Sequence, residues 1–170
     1  AELDAVLAAR GYELYSQTHV QTAVLDQLVA QPRHDVQLFE TAPAAWLACH
    51  QQVNSYDDAT LGIRAAIMGR VEARKAFATV QVDGRTAGVG FGVCANGWLG
   101  LFCIETLPAY RRQGVGTAVV AVLADWAKRQ DVHRAYLQVT VQNEPALALY
   151  GRHGFTTAYT YHYRRLSKAP

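Results

Sequence analysis

The chain has few charges, few cysteines and no long apolar segment, and each shortage argues against a class of protein. Charged residues make up 18% of the 170 residues, and the net charge is only +2. This balance argues against a nucleic-acid partner or an anionic membrane partner. The longest apolar run, 115–124, is far shorter than the roughly 20 residues that a membrane-spanning helix needs, and nothing resembles a signal peptide. Hydrophobic residues make up 51% of the chain, so we expect a globular domain with a sizeable core.

Cysteine and histidine are too few and too scattered to suggest a metal site. The three cysteines, Cys49, Cys94 and Cys103, follow no metal-ligand spacing, and their odd number leaves at least one thiol outside any disulfide set. A reducing, cytoplasmic setting fits this usage best. The six histidines show no i, i+4 ligand spacing with a carboxylate, so no metal is expected.

One stretch, residues 99–129, carries the strongest chemical signal in the chain. An apolar run at 99–104 predicts a strand, and Gly114-Val115-Gly116 predicts the start of a long helix. Free backbone N–H groups and the positive end of the helix dipole meet at such a turn, where glycine allows close approach. Arg111 and Arg112 add positive charge beside it. The stretch therefore predicts a phosphate or pyrophosphate site.

The spacing of this turn excludes two common phosphate-binding folds. A dinucleotide fingerprint needs a third glycine where the chain has Val119. A P-loop pattern, Gly-x-x-x-x-Gly-Lys-Ser/Thr, occurs nowhere in the sequence.

Periodicity and turn residues predict an alternation of strands and helices along the rest of the chain. Glycine at every second position, Gly88, Gly90 and Gly92, leaves one face of a strand bare and is interpreted as structural. The strand at 134–140 follows a helical crossover, so we expect it to run parallel to 98–106. The predicted strands are 12–25, 36–39, 76–82, 86–93, 98–106, 134–140 and 155–165, and the predicted helices are 3–10, from Pro43, 61–70, 114–129 and from Pro145.

Two linked motifs resemble the GNAT superfamily of acyl-CoA-dependent N-acyltransferases. The first is Arg111-x-x-Gly114-x-Gly116, and the second is Asn143-x-x-Ala146-x-x-Leu149-Tyr150-x-x-x-Gly154-Phe155. The resemblance covers roughly residues 36–166. It implies an α/β fold with a mixed, mostly antiparallel central sheet, helices on both faces, and one parallel strand pair splayed apart for coenzyme A.

The resemblance also implies where acetyl-CoA, the expected co-substrate, would bind. The pantetheine arm would pair with the strand backbone around Glu105, the pyrophosphate would lie on the glycine turn, and Asn143 would orient the pantetheine. The cofactor-binding residues implied in this way are Ile104, Thr106, Arg111, Arg112, Gln113, Gly114, Val115, Gly116, Thr117 and Asn143.

Two side chains are candidates for proton transfer. Tyr150 matches the tyrosine that the family places beside the coenzyme sulfur, where a phenol could protonate the departing thiolate. The alternative is a core tyrosine on an amphipathic helix. Glu105 is the candidate base, directly or through water, and the alternative is a solvated carboxylate at the end of a strand.

The first 33 residues form a helix–strand segment that resembles the end of the chain. The segment LAARGYELYSQTHVQTA has the same layout as LYGRHGFTTAYTYHYRR: a helix, a glycine, an aromatic residue and a strand. We interpret residues 1–33 as a possible remnant of a preceding GNAT copy and residues 34–170 as the acetyltransferase domain. Chance similarity of two helix–glycine–strand units is the alternative.

These expectations combine into an N-acetyltransferase that moves an acetyl group from acetyl-CoA to a primary amine by direct attack. The acceptor is a small molecule or a peptide, and the protein is a monomer or a homodimer. Tyr56, Asp57 and Asp58 could hold an ammonium group, although two aspartates ahead of a helix are also ordinary caps. The alternative function is a catalytically weak module that binds acyl-CoA or a peptide.

Overall fold

Seven strands and five α-helices lie along residues 2–28 and 33–166, the parts of the chain that this computed structural model describes. Every helix and strand predicted from the sequence is present, with small shifts at the ends. The helix predicted at 61–70 begins earlier because the carboxylate of Asp57 accepts a hydrogen bond from the Thr60 N–H at 2.7 Å and caps it. The elements are α1 (Glu2–Ala9), β1 (Tyr12–Val24), β2 (Asp35–Phe39), α2 (Ala44–Asn54), α3 (Asp58–Gly69), β3 (Arg74–Val82), β4 (Arg85–Ala95), β5 (Trp98–Thr106), α4 (Val115–Lys128), β6 (Arg134–Thr140), α5 (Glu144–Arg152) and β7 (Thr156–Leu166).

The strands form one sheet in the order β2-β3-β4-β5-β6-β1-β7. Within the described chain, β5 and β6 are the one parallel pair and every other pair is antiparallel. Pairing of β5 with β6 stops at Leu101 and Leu137, although β5 continues to Thr106 and β6 to Thr140. The two strands therefore diverge at the end where the glycine turn lies, as the fold class predicted.

Helices cover both faces of the sheet, so there is a hydrophobic core on each face. Alternate residues of β3 belong to one core or the other. Ala76, Ala78 and Val80 pack with the buried face of α4. Phe77, between them, packs on the opposite face with Trp46 of α2 and with Phe91. The Trp46 indole N–H donates to the Gly90 carbonyl at 3.0 Å and fixes α2 against β4.

The alternating glycines of β4 make room for α4. A Cβ atom on Gly90 would collide with Val119 of α4 and would lie 3.1 Å from Ile104 Cδ1. A Cβ atom on Gly88 would lie 2.5 Å from Val115. The structural interpretation of these glycines is confirmed, because the bare strand face receives a helix.

Gly90→Ala is therefore expected to destabilise the fold by about 1–3 kcal/mol through overpacking. Gly62→Ala is the matched control, because Gly62 lies inside α3 and a Cβ there meets nothing within 4 Å. That change is expected to stabilise the protein by up to about 1 kcal/mol, since alanine favours a helix more than glycine does. Urea denaturation measures both, and equal midpoints for Gly90→Ala and wild type would contradict this packing.

The N-terminal segment contributes an interior strand to the same sheet. β1 pairs with β6 on one side and with β7 on the other, both antiparallel. α1 packs beside β1 and β7, where the Asp4 carboxylate accepts hydrogen bonds from His162 and Arg164 at 2.7 Å. The boundary drawn at residue 33 thus falls between two segments that share one sheet.

Candidate active site

The glycine turn presents free backbone donors at the start of α4. Gly114 has φ 85°, in the left-handed region that glycine adopts without strain. The first helical hydrogen bond runs from the Ala118 N–H to the Gly114 carbonyl, which leaves the N–H groups of residues 115–117 without helical acceptors. No acidic side chain lies in this first turn. The turn can therefore bind an anion.

A cleft of about 610 Å³ runs from this turn to the point where β5 and β6 separate. Nearly all of the site residues predicted from the sequence line it. Gln113 does not line it: its side chain donates to the Ala109 carbonyl at 3.1 Å, and its own carbonyl accepts from His34 at 2.6 Å. Gln113 thus shapes the turn from outside. The predicted residues in the lining are Ile104, Glu105, Thr106, Arg111, Arg112, Gly114, Val115, Gly116, Thr117, Asn143 and Tyr150.

The electrostatics of the cleft are asymmetric. Arg111, Arg112 and Arg152 line it together with one carboxylate, that of Glu105. The arginines suit a multiply charged anion such as a coenzyme phosphate.

Tyr150 is 7% exposed and reaches the cleft from α5. Its ring packs edge-on against Phe155, with the centroids 5.8 Å apart. Burial raises the pKa of the Tyr150 phenol to about 12, so the hydroxyl keeps its proton at neutral pH. Tyr150 therefore belongs to the core and also lines the cleft.

Asn143 caps α5, as its side-chain oxygen accepts a hydrogen bond from the Ala146 N–H at 3.2 Å. It also lines the cleft. The cap and the predicted contact with the coenzyme are therefore compatible.

Glu105 is held by two side chains from α2. Nδ1 of His50 lies 2.9 and 3.0 Å from the two carboxylate oxygens, and Nδ2 of Asn54 donates to one of them at 2.9 Å. A carboxylate can only accept, so Nδ1 is the protonated nitrogen of His50. The Glu105 side chain is 13% exposed, which excludes a fully solvated carboxylate and leaves one that is oriented and partly open to the cleft.

The sequence analysis missed both His50 and Asn54. His50 is 2% exposed, packs against Trp46 and Tyr56, and its Nε2 has no hydrogen-bond partner. A signal was present, because His50 and Asn54 have the i, i+4 spacing of one helix face. Nothing in the sequence linked that face to Glu105.

His50, Cys103 and Glu105 also place potential metal-ligand atoms within 4.8 Å of one another. The sequence showed no such grouping, because these residues lie on α2 and β5. Burial raises the pKa of the Cys103 thiol to about 12, which works against the thiolate form that binds metals and attacks electrophiles.

The acidic residues near Tyr56 act within the protein rather than on the cleft. Asp57 caps α3, and the Asp58 carboxylate accepts from the Gln51 amide at 2.7 Å. Neither lines the cleft. The prediction that they cap a helix is confirmed for Asp57.

Comparison with known proteins agrees with the two motifs and the fold. A family model described as the acetyltransferase (GNAT) family matches residues 37–155, from β2 to Phe155, which directly precedes β7. The chain belongs to this GNAT family. Members are acyl-CoA-dependent N-acyltransferases that use acetyl-CoA, so the resemblance read from residues 111–116 and 143–155 is confirmed.

Two curated relatives of this GNAT domain are longer than the chain. The uncharacterised N-acetyltransferase YobR of Bacillus subtilis is 27% identical over 95% of this chain and 67% of its own length. Streptothricin acetyltransferase of Streptomyces lavendulae is 33% identical over 48% of this chain, which covers 44% of that protein.

Two kinds of solved structure share the fold. AAC(6')-Iy, in complex with the bisubstrate analog CoA-S-monomethyl-acetylneamine, has a TM-score of 0.64 and 18% identity over 78% of this chain and 98% of its own. A tandem GNAT protein from the clavulanic acid biosynthesis pathway has a TM-score of 0.70 and 15% identity over 94% of this chain and 58% of its own. At these identities the likeness shows the fold alone. Among the described helices, none is long and apolar enough to cross a membrane.

Proposed function

We propose that this GNAT domain transfers an acetyl group from acetyl-CoA directly to a primary amine. The observation that carries the proposal is one cleft that joins free α4 amides, the end of β5 that β6 leaves unpaired, Tyr150 and Glu105. N–H groups that can bind an anion, together with two side chains that can transfer protons, suit a long phosphorylated thioester. The cytoplasmic location inferred from the cysteines remains a prediction.

The coenzyme would lie along backbone groups that have no hydrogen-bond partner in the helix or in β6. Its pyrophosphate would accept hydrogen bonds from the N–H groups of residues 115–117, with Arg111 and Arg112 beside it. Its pantetheine arm would pair with the backbone of 104–106, where β6 has moved away from β5. A strand edge that lacks its neighbour is a ready partner for amide groups.

Glu105 would take the proton that the attacking amine loses. A neutral amine nitrogen attacks the thioester carbonyl, the new C–N bond forms, and the C–S bond breaks to release the coenzyme thiolate. The nitrogen then carries an excess proton, which the Glu105 carboxylate accepts directly or through water. His50 and Asn54 orient the carboxylate, and are positioning residues because neither lines the cleft.

Tyr150 would protonate the departing thiolate. A phenol with a pKa near 12 is a poor donor to an exposed thiolate of pKa near ~8.5. Burial raises the pKa of a thiol as well, so a coenzyme sulfur enclosed in the cleft would be a better proton acceptor than an exposed one.

The acceptor class we propose is a small primary amine. AAC(6')-Iy carries an acetylneamine analog in its complex, and this chain shares that fold. A panel of small amines and peptide N-termini, each mixed with acetyl-CoA, tests the proposal by release of the coenzyme thiol. If no amine in the panel causes thiol release and the coenzyme still binds tightly, the alternative of a module that only binds acyl-CoA is favoured.

Gly114→Glu is expected to abolish the rise in melting temperature that coenzyme A produces in the wild type. A ligand that binds only the folded state raises the melting temperature by mass action, and a carboxylate at the turn would repel the pyrophosphate. Gly97→Glu is the matched control, because Gly97 also has a positive φ, 77°, and open space around it. It should lose similar stability and keep the coenzyme shift. An unchanged shift in a folded Gly114→Glu variant would contradict the assignment of the turn.

A further inference from the structure

One edge of the sheet is left with little of the usual protection. β7 pairs with β1 on one side, and no described strand pairs with its other side. It is 11 residues long, contains no proline, and carries no Asp, Glu, Lys or Arg in its first eight residues, 156–163. Tyr159 and Tyr163 are 60% and 55% exposed. A long edge with an uncharged stretch of this length invites another strand.

The pairing of β1 with β7 has an internal two-fold symmetry. Gly11 and Gly154 stand at equivalent points between a helix and a strand, and both have positive φ, 81° and 76°. Counted from these glycines, Glu13 is equivalent to Thr156, and Thr22 is equivalent to Arg165. The pair Thr22–Thr156 is therefore equivalent to the pair Glu13–Arg165, and both pairs are present in the sheet. The two strands are equivalent about an axis that lies between them.

This symmetry assigns a missing neighbour to β7. β1 has β6 on its outer side, over Thr18–Val24. The equivalent side of β7, beginning at Tyr161, is the free edge. A strand equivalent to β6 would complete the arrangement there.

α1 shows the same vacancy at the level of side chains. Its counterpart α5 uses Ala146 and Leu149 to pack against the main core. The equivalent positions in α1 are Leu3 and Val6, which are apolar but 70% and 42% exposed. No residue of α1 is buried. α1 thus has an apolar face like that of α5, but this face packs against no core in the described structure.

We propose that the free edge of β7 and the apolar face of α1 form the docking surface for a second unit of this same fold. That unit would precede α1 in the polypeptide, α1 and β1 would be its last helix and strand, and its counterpart of β6 would pair with β7. The two units would share one continuous sheet. The surface then serves both: β1 completes this unit, and β7 completes the other.

The length of the tandem GNAT structure fits this occupant better than a second free copy. The chain covers 58% of that structure, which leaves room for another unit. A second copy of this chain would arrive with β6 already paired to its own β1, and so could not offer a free β6 to the edge.

The proposal is tested by adding the missing unit to the full chain. One further copy of residues 33–143, joined directly ahead of Ala1, places Asn143 before α1 as it stands before α5. Hydrogen exchange of the 156–166 segment is then compared between the extended and the original chain. Pairing of the outer edge is expected to slow exchange of its outward-facing amides by about tenfold or more, since a paired amide exchanges only through opening.

A matched pair of double variants separates docking from general stability. Leu3→Asp with Val6→Asp should leave the melting temperature of the original chain unchanged, and should abolish the protection in the extended chain. Ile63→Asp with Ile67→Asp, on residues of α3 that are 63% and 60% exposed, should affect neither. Both are made in the original copy only.

Three results would overturn the proposal. The added unit could fold while 156–166 exchanges as fast as in the original chain, or it could stay unfolded, which would show that α1 and β1 do not complete it. Sedimentation could also show that the original chain dimerises with 156–166 protected, which would assign the edge to a second copy. The expected result is a monomeric original chain with a rapidly exchanging β7 edge.

Discussion

Replacing Tyr150 with phenylalanine is expected to lower kcat by about 10²–10⁴-fold, the range typical of a positioned acid. The ring remains, so its packing against Phe155 should survive and the melting temperature should change little. KM for acetyl-CoA should also hold, because the proposed coenzyme contacts come mainly from backbone groups. Steady-state kinetics with an amine that the wild type accepts measures kcat and the KM for acetyl-CoA directly.

The pH dependence distinguishes an acid from a merely structural tyrosine. Because the pKa of Tyr150 is raised to about 12 by burial, the wild type should lose no activity through its ionisation below about pH 10. The deficit of the variant should shrink as pH rises and the thiolate needs no proton. Tyr110→Phe is the control, since Tyr110 lines the same cleft and should keep near-normal kcat. A Tyr150→Phe variant within a few-fold of wild type at neutral pH would remove Tyr150 from the mechanism.

Glu105→Gln is the second large effect, and is expected to lower kcat by about 10²–10⁴-fold at neutral pH. The amide keeps an oxygen that can accept from the His50 Nδ1–H, so the fold should hold. The carboxylate is lost, and with it the acceptor for the amine proton. Asp58→Asn removes a carboxylate outside the cleft and should leave kcat unchanged.

His50→Gln separates positioning from proton transfer. His50 is proposed to act through Glu105, so its loss should reduce kcat less than Glu105→Gln does. The double variant should be no slower than Glu105→Gln alone, because coupled residues are not additive. Additive losses, measured at the same pH, would show that His50 acts independently of the carboxylate.

The site could be predicted from the sequence where it depends on contiguous motifs. Residues 111–116 carry their own chemistry, since glycine, arginine and a helix start are adjacent in the chain. Asn143 and Tyr150 lie in one helical segment at a recognisable spacing. The apolar runs of β3 to β5, bounded by turn residues, likewise predict these three strands.

The features that the sequence analysis missed depend on contacts between distant segments. His50 reaches Glu105 across 55 residues, and the chain's periodicity predicts each element without saying which helix lies over which strand. The interior place of β1 could not be predicted either. Its alternating pattern suits an edge strand as well as an interior strand, and only pairing with β6 and β7 decides between them.

Direct transfer is tested most simply by mixing the protein with stoichiometric acetyl-CoA, first without and then with an accepted amine. Thiol release and the intact mass of the protein are followed together. We expect no thiol and no added acetyl mass until the amine is present, because the Cys103 thiol is held protonated by burial. Then one thiol should appear for each amine acetylated. A burst of thiol with an acetylated protein before amine is added would contradict direct transfer, and so would no release with any amine.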